Sequence, residues 1–407
     1  MRILVLSPRQ CFPSVSGAKL REFYFLRSLG EWGDVSVAGF LDPDSGPIAA
    51  SDLPFCQSIH YLPKPPAYGP AKVLRGLFGR WPLPVLNYTS EAMTQAVLAL
   101  EHERSFDLIH VESVHMLRYV EALSAVGNRT PVIYNWHNIE SELMQRYADN
   151  ATSPARRIYA SLTAKKLAAL ERTILHDGFG HVVCSDRERE LLSRIAPNAR
   201  IATVSNGVDC DAFAAGHPND APIEPTKQRI LFVGSMDYFP NAEGAIWFAR
   251  EIWPKIRERI PALEFVIVGA RPTQAVLALR EVPGVVVTGT VPDVRPYYRE
   301  ALAAVVPLRT GGGTRLKILE AMAAGTPVVS TPLGAEGLEV TPDEDFLRAA
   351  ATEPETWVRH LERLAANPER RMQLAEAGRR LVRRKYDWGA LGTQLVTTYA
   401  DWLRDAR

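Results

Sequence analysis

The chain has 407 residues, enough for two or three domains of ordinary size. Hydrophobic residues make up 46% and charged residues 23%, so sizeable cores can form and global disorder is excluded. A net charge of +1 excludes a protein that blankets nucleic acid with positive charge, while leaving room for local basic patches.

Short β-rich runs alternate with helical patterns from the start. Residues 2–7, 34–40, 58–62, 106–111, 132–136 and 181–184 read as strands: each is short, rich in Val, Ile, Leu or aromatics, and bounded by turn residues. Helical patterns lie between them at 19–29, 91–103 and 154–176. Strand–helix alternation predicts a doubly wound parallel sheet. The segment 214–227, with three prolines and a glycine and little apolar content, reads as a linker. The pattern then restarts, since Arg229-Ile230-Leu231-Phe232-Val233 echoes Arg2-Ile3-Leu4-Val5-Leu6. Further strands are expected at 263–268, 285–288, 303–306 and 327–330, and an amphipathic helix at 388–403. Two similar α/β halves follow from this repetition.

Several chemistries are disfavoured. Neither half carries G-x-G-x-x-G after its first strand, and no Walker sequence occurs, which demotes dinucleotide and P-loop readings. Cys11, Cys56, Cys184 and Cys210 match no zinc or disulfide spacing and read as reduced thiols. The histidines form no H-E-x-x-H. The apolar run at the N-terminus is too short for a signal peptide, and no run reaches the roughly 18 residues of a membrane span, so cytoplasmic residence is expected.

The most informative segment is 307–327. A strand ends there, a triple-glycine loop (Gly311, Gly312, Gly313) with Thr314 follows, and a helix is expected over 315–324. Glycines let backbone approach a ligand closely, and free N–H groups at a helix start attract phosphate. Arg315 and Lys317 put cations in a first turn, where they oppose the helix dipole. A bound diphosphate would resolve that conflict. Glu320 reads in two ways: as the helical ion-pair partner of Lys317, or as a carboxylate whose two oxygens accept from a vicinal diol. His137 ends the strand 132–136, at the ligand-binding edge of a parallel sheet, although a surface or capping role suits that position equally.

These residues resemble a known family. The run 311–330, with Leu319-Glu320-Ala321-Met322-Ala323-Ala324-Gly325-Thr326-Pro327-Val328-Val329-Ser330, is similar to the nucleotide-binding signature of the retaining glycosyltransferases of family 4, glycosyl transferases group 1. Within the family it resembles the subgroup with a G-G-G-x-R-x-K-x-L-E donor motif. Asn206-Gly207-Val208-Asp209 resembles the family's junction motif, and Phe232-Val233-Gly234-Ser235-Met236 with Pro240-Asn241 resembles a subgroup's opening of the second domain. Val268-Gly269 and Gly289-Thr290-Val291-Pro292-Asp293 fall at the family's next strand ends, and the small-residue stretch around Gly17 resembles its loop after the first strand.

The resemblance implies a GT-B fold, with two Rossmann-like domains facing across a cleft. Residues 1–208 would be an acceptor-binding domain joined by a C-terminal helix at 388–407, and 209–387 a nucleotide-sugar-binding domain. It implies catalytic roles for His137, Arg315, Lys317 and Glu320. Donor binding would fall to Gly17, Gly234, Ser235, Gly269, Val291, Asp293, Gly311, Gly312, Gly313 and Thr314. Two departures stand out. Many members have a glutamate where this chain has Gly312, and many place an Arg and a Lys in the loop that here reads Ser235-Met236-Asp237-Tyr238-Phe239. Backbone N–H groups and the pair Arg315–Lys317 are the expected substitutes. The expected activity is metal-independent, retaining, front-face transfer from a nucleoside-diphosphate sugar to a saccharide or lipid-linked saccharide, with polysaccharide biosynthesis as its setting. An epimerase on the same fold and a non-catalytic nucleotide-sugar-binding protein are the alternatives. No cofactor, metal or nucleic acid partner is expected. Basic and apolar residues interleave at 72–81, which suits peripheral contact with the inner face of a membrane, or else a snorkelling surface helix.

Overall fold

The computed structural model describes residues 1–14, 16–42, 46–151, 153–214, 228–311 and 315–406. The linker expected at 214–227 therefore lies almost wholly outside the described residues, as do Gly312, Gly313 and Thr314. The chain divides into two compact units, Met1–Ser205 with Leu391–Arg407, and Asn206–Ala390. It passes from the first unit to the second after Ser205 and returns within the C-terminal helix Trp388–Arg404.

The first unit is built on a seven-stranded sheet in the order β3-β2-β1-β4-β5-β6-β7. Its strands are β1 (Arg2–Ser7), β2 (Asp34–Leu41), β3 (Ser58–Pro63), β4 (Leu108–Glu112), β5 (Val132–Asn135), β6 (Gly180–Val183) and β7 (Ile201–Thr203). All pairings are parallel. In β1 and β4 nearly every residue is buried, on both faces. That is why they read as continuous apolar runs rather than alternating ones. Leu4, Leu6, Ile109 and Val111 pack with Val97, Tyr119, Leu167 and Ile174 from the covering helices. Each such fully buried side chain contributes about 1.5–3 kcal/mol.

The second unit repeats the plan with six strands in the order β10-β9-β8-β11-β12-β13. These are β8 (Arg229–Val233), β9 (Glu264–Val268), β10 (Val285–Gly289), β11 (Ala303–Val306), β12 (Val328–Ser330) and β13 (Leu347–Arg348). They too pair in parallel. An aromatic cluster anchors one face, with the Phe248 ring 4.9 Å from Phe265 and 5.3 Å from Trp357. The junction motif belongs to this unit: Val208 N–H donates to Tyr386 O (2.8 Å) and Cys210 N–H to the Asp387 carboxylate (3.2 Å).

The expected doubly wound parallel architecture is thus present in both halves. Two edge strands were missed. Residues 201–203 and 347–348 are three and two residues long, too short for any periodicity to register. Both sheets reverse their winding in the middle, between β1 and β4 in the first and between β8 and β11 in the second. In open parallel sheets the crevice beyond the strand ends at such a reversal is where ligands bind.

Candidate active site

In the second unit the reversal point gathers most of the residues singled out from sequence. Gly234 and Ser235 follow β8, Gly269 follows β9, and the segment 307–311 follows β11. The helix Leu316–Ala324 starts after Arg315, which occupies the capping position rather than the first turn. Gly311 has φ +103, a conformation that glycine adopts without strain, and the loop packs on Pro240 there. At Gly269 the reason for glycine is close approach, because a Cβ would lie 1.7 Å from the carbonyl oxygen of Gly234.

Lys317 reaches from the first turn to the end of β8. Its Nζ donates to Asn241 Oδ1 (2.6 Å) and lies 4.4 Å from the centre of the Phe232 ring. Asn241 in turn donates through Nδ2 to Ser235 O (2.9 Å), so the lysine is anchored to the turn that carries Gly234 and Ser235. Burial pushes the ammonium down to about 7, with Glu320 drawing it up and Arg315 pushing it down. The helical ion pair between Lys317 and Glu320 is not formed. Glu320 instead accepts from Tyr298 Oη (2.9 Å), and burial raises its carboxyl above the usual range. Arg315 is buried, and its Nη2 donates to Gly311 O (3.2 Å) and Leu333 O (3.1 Å), which holds the two ends of the glycine loop together.

The remaining donor-binding candidates divide. Ser235 Oγ donates to Asp237 Oδ1 (2.6 Å) and accepts from Arg271 Nη2 (2.9 Å). Asp293 accepts from Arg295 N and Nε (both 2.9 Å); burial raises its carboxyl, but Arg295 pulls it below the usual range. Both side chains are therefore already engaged within the lobe. Val291 packs against the edge of the apolar core, so what it offers a ligand is backbone. Arg271 was not foreseen. It enters from the end of β9 and pairs with Asp237 (2.5 Å), putting a cation on a loop whose own sequence has none. No sequence signal marks it, since the approach of loops 235–239 and 270–273 is decided by the pairing of β8 with β9.

In the first unit the reversal point holds a buried polar cluster around His137. Its Nε2 lies 2.8 Å from Glu112 Oε2 and 3.4 Å from Glu22 Oε1. Glu112 also faces His110 Nε2 (2.7 Å) and accepts from Asn135 Nδ2 (2.7 Å). Burial opposes its charge, but His110 and His137 hold it well below the ordinary carboxylate range. An ionised carboxylate only accepts, so both imidazoles donate to it from Nε2, and His110 Nδ1 accepts a hydrogen bond from the Tyr399 hydroxyl (2.8 Å). Arg21 fixes the far side, donating from Nε (3.0 Å) and Nη2 (2.8 Å) to Asn135 Oδ1 and from Nη1 to Val204 O (2.7 Å). Glu22 accepts from Ser7 Oγ (2.9 Å) and pairs with Arg9 (3.2 Å), while burial and the Glu112 charge push its carboxyl up to about 8. His137 itself is driven down by burial, against the pull of Glu112. Gly17 opens the first helix, Gly17–Trp32, behind its cap Ser16.

Only His137 of this cluster was foreseen. Arg21 and Glu22 sit on the helix Gly17–Trp32, Arg9 after β1, Glu112 on β4 and Asn135 on β5, and the pairing of β1, β4 and β5 brings them together. Among the described residues Glu22, Glu112 and His137 are also the one trio whose ligand atoms lie within 4.8 Å of one another, close enough to hold a metal ion. Ser7, His110 and Asn135 already bond the other carboxylate oxygens, while Glu22 Oε1 accepts no hydrogen bond and has the Arg9 guanidinium 3.2 Å away as its positive charge.

Comparison with known proteins agrees with this architecture. The chain superposes on sucrose-phosphate synthase from Thermosynechococcus elongatus with TM-score 0.69 at 19% identity over 100% of both chains. It superposes on Anabaena Alr3699/HepE in complex with UDP with TM-score 0.67 at 14% identity over 98% and 100% of the two chains. The fold is therefore the two-domain, Rossmann-like GT-B fold. Residues 42–207 match the glycosyl transferase 4-like domain and residues 227–367 match glycosyl transferases group 1. The chain thus carries a glycosyl transferase 4-like domain followed by a glycosyl transferases group 1 domain. It is similar to the glycogen synthase of Mycobacterium tuberculosis, 24% identical over 251 residues (58% of this chain, 57% of that one). It is also similar to the phosphatidyl-myo-inositol mannosyltransferase of the same organism, 28% identical over 252 residues (59% and 64%). The chain thus spans less than two thirds of the length of these curated relatives.

Proposed function

We propose that the protein transfers a hexosyl unit from a nucleoside-diphosphate sugar to a hydroxyl of a saccharide or lipid-linked saccharide, with retention of configuration and without a metal. One observation carries the reading: Lys317 is anchored through Asn241 to the Gly234–Ser235 turn, beside the loop that Arg315 closes, at the reversal point of its sheet. The two domain matches and the UDP complex named for HepE support the nucleotide-sugar donor. Departure of a diphosphate is the step that needs stabilisation, and preorganised cations in a poorly solvated site are effective there. In this reading Lys317 and Arg315 neutralise the leaving diphosphate, helped by backbone N–H groups of the glycine loop. Glu320 receives the ribose hydroxyls, and Tyr298 holds its carboxylate in place. His137, its tautomer set by Glu112, addresses the donor sugar. The departing phosphate takes the acceptor proton on the face it leaves.

The test is the double variant Arg315→Ala/Lys317→Ala. Thermal-shift titration with UDP, GDP and ADP should show stabilisation of the wild type by one of them and none of the variant, with transfer down at least ~100-fold, the scale of losing a key electrostatic donor. Undiminished binding and transfer would refute the assignment. NMR of the product reports retention. Conversion of the donor with no acceptor present would favour an epimerase, and binding without turnover a sensor.

A membrane partner belongs to the same proposal. Residues 53–90 carry Lys64, Lys72, Arg75 and Arg80 and no carboxylate; residues 150–170 carry Arg156, Arg157, Lys165 and Lys166 and none either. The helices Pro70–Phe78 and Pro154–Asp177 are joined by Lys166, whose Nζ donates to the carbonyls of Gly76 (2.7 Å), Leu77 (2.6 Å) and Gly79 (2.7 Å). Phe78 (84% exposed), Ile158 (62%) and Leu74 (57%) stand out from this basic surface. Apolar side chains set among cations suit an anionic bilayer. Among the described residues no helix is long and apolar enough to cross a membrane.

A further inference from the structure

The helix Phe239–Trp247 forms one wall of a groove of about 530 Å³, completed by Asp237, Arg250, Glu251, Thr273 and Arg309. The groove adjoins the donor loops within the same lobe. Asp237 and Phe239 follow the Gly234–Ser235 turn, and Arg309 lies two residues before Gly311. Its chemistry is mixed. Trp247 and Phe239 offer aromatic surface, and Phe239 is 67% exposed. The Arg309 guanidinium sits 5.3 Å from the centre of the Trp247 ring and 3.3 Å from Glu243 Oε1. The other carboxylate oxygen, Glu243 Oε2, is shielded from water and accepts no hydrogen bond. Glu243 therefore serves the groove through Oε1, which holds the Arg309 guanidinium beside the Trp247 ring. Past Trp247 the helix widens into a π turn, Phe248–Ile252, which brings Arg250 and Glu251 to the rim; such turns recur at functional sites.

We infer that this groove is a saccharide subsite, holding a pyranose unit of the acceptor chain beside the donor loops. The inference rests on the glycosyl-transfer reading for its place in the reaction, though binding there does not require turnover. A pyranose ring has an apolar C–H face for Trp247 or Phe239 and hydroxyls that both donate and accept. One hydroxyl donates to the exposed Glu251 carboxylate at the rim, while others accept from Arg309, Arg250 and the Thr273 hydroxyl. A phosphate or nucleotide would face Asp237 and Glu251, and a purely apolar ligand would leave Arg250, Glu251 and Thr273 unanswered.

Saturation-transfer NMR and calorimetry of the full chain with gluco-, galacto- and manno-oligosaccharides of increasing length test the assignment. At least one series should bind the wild type. Its Kd should rise at least ~10-fold, a loss of about 1.4 kcal/mol, in Trp247→Ala, Glu243→Ala and Phe239→Ser. Trp247 packs against Trp357 (6.3 Å between rings), so its variant carries a folding risk that the exposed Phe239 does not. Thermal stabilisation by UDP is followed in parallel. If no nucleotide stabilises the wild type while oligosaccharides still bind, the transfer reading fails and the groove stands. If UDP binds but no oligosaccharide does, or if all three variants bind oligosaccharide as the wild type does, the groove assignment is overturned. A dimer that Phe239→Ser dissociates, without sugar binding, would overturn it in favour of a second copy of the chain.

Discussion

Lys317 shows how one side chain is made useful by being placed badly. Burial holds its ammonium near 7, so its folded value lies below the 10.5 of an exposed lysine. A charged lysine is therefore disfavoured in the folded chain. The penalty is complete below pH 7 and is relieved as pH rises from about 7 toward 10.5. Lys317→Met should raise the melting temperature, most clearly at or below pH 7, by about 2–4 °C or more. The same variant should lose its thermal response to UDP, as expected where a strained site carries function. In the wild type UDP affinity should fall as pH rises above about 7, because binding then requires proton uptake. Calorimetry in buffers of different ionisation enthalpy measures that uptake. An affinity flat in pH with no proton uptake would show that Lys317 does not meet the diphosphate. Glu112 is the counterpart in the first unit, since its charge is held by three donors and decides which nitrogen of His137 is protonated.

At the scale of elements, the ends of β8 and β9 matter more than their length. Gly269 and Gly234 touch backbone to backbone, and that contact sets the distance between the Ser235 turn and the loop bearing Arg271. Gly269→Ala would drive a methyl into the Gly234 carbonyl. The expected cost is about 1–3 kcal/mol in urea unfolding, the usual range for overpacking a tight site. UDP affinity should weaken with it, because Lys317 is anchored to that turn through Asn241. Unchanged stability would mean that the two loops separate freely. Lys166 plays a comparable part in the first unit, where a single ammonium closes the carbonyl end of the helix Pro70–Phe78 and aims Leu74 and Phe78 outward.

At the scale of the molecule, a chain of net charge +1 keeps two cation-rich segments without carboxylates, 53–90 and 150–170, in its first unit, where Arg80 pairs with Glu121 (3.0 Å). Co-sedimentation with vesicles containing phosphatidylglycerol should capture the wild type at low salt. Neutral phosphatidylcholine vesicles should capture far less. Each cation removed from Arg75, Arg156 and Lys165 should lower partitioning about fivefold, and Leu74→Ser/Phe78→Ser should lower it further. Equal binding to neutral vesicles, or none to anionic ones, would dispose of the membrane contact.

The sequence alone made the repeated α/β plan legible, because strands buried on both faces must be continuous apolar runs and their helices must carry the complementary period. It also exposed Gly311, Arg315, Lys317 and Glu320, which share one loop and one helix, so that their spacing is their geometry. It could not show that Lys317 would choose Asn241 over Glu320, that Tyr298 would take Glu320, or that Arg271 would join the Ser235 turn. Nor did it reveal the Glu22–Glu112–His137 cluster or the groove beside Trp247. Those pairings join residues on different strands and helices, and only the parallel register of the sheets, with the burial it imposes, decides which polar groups must answer one another.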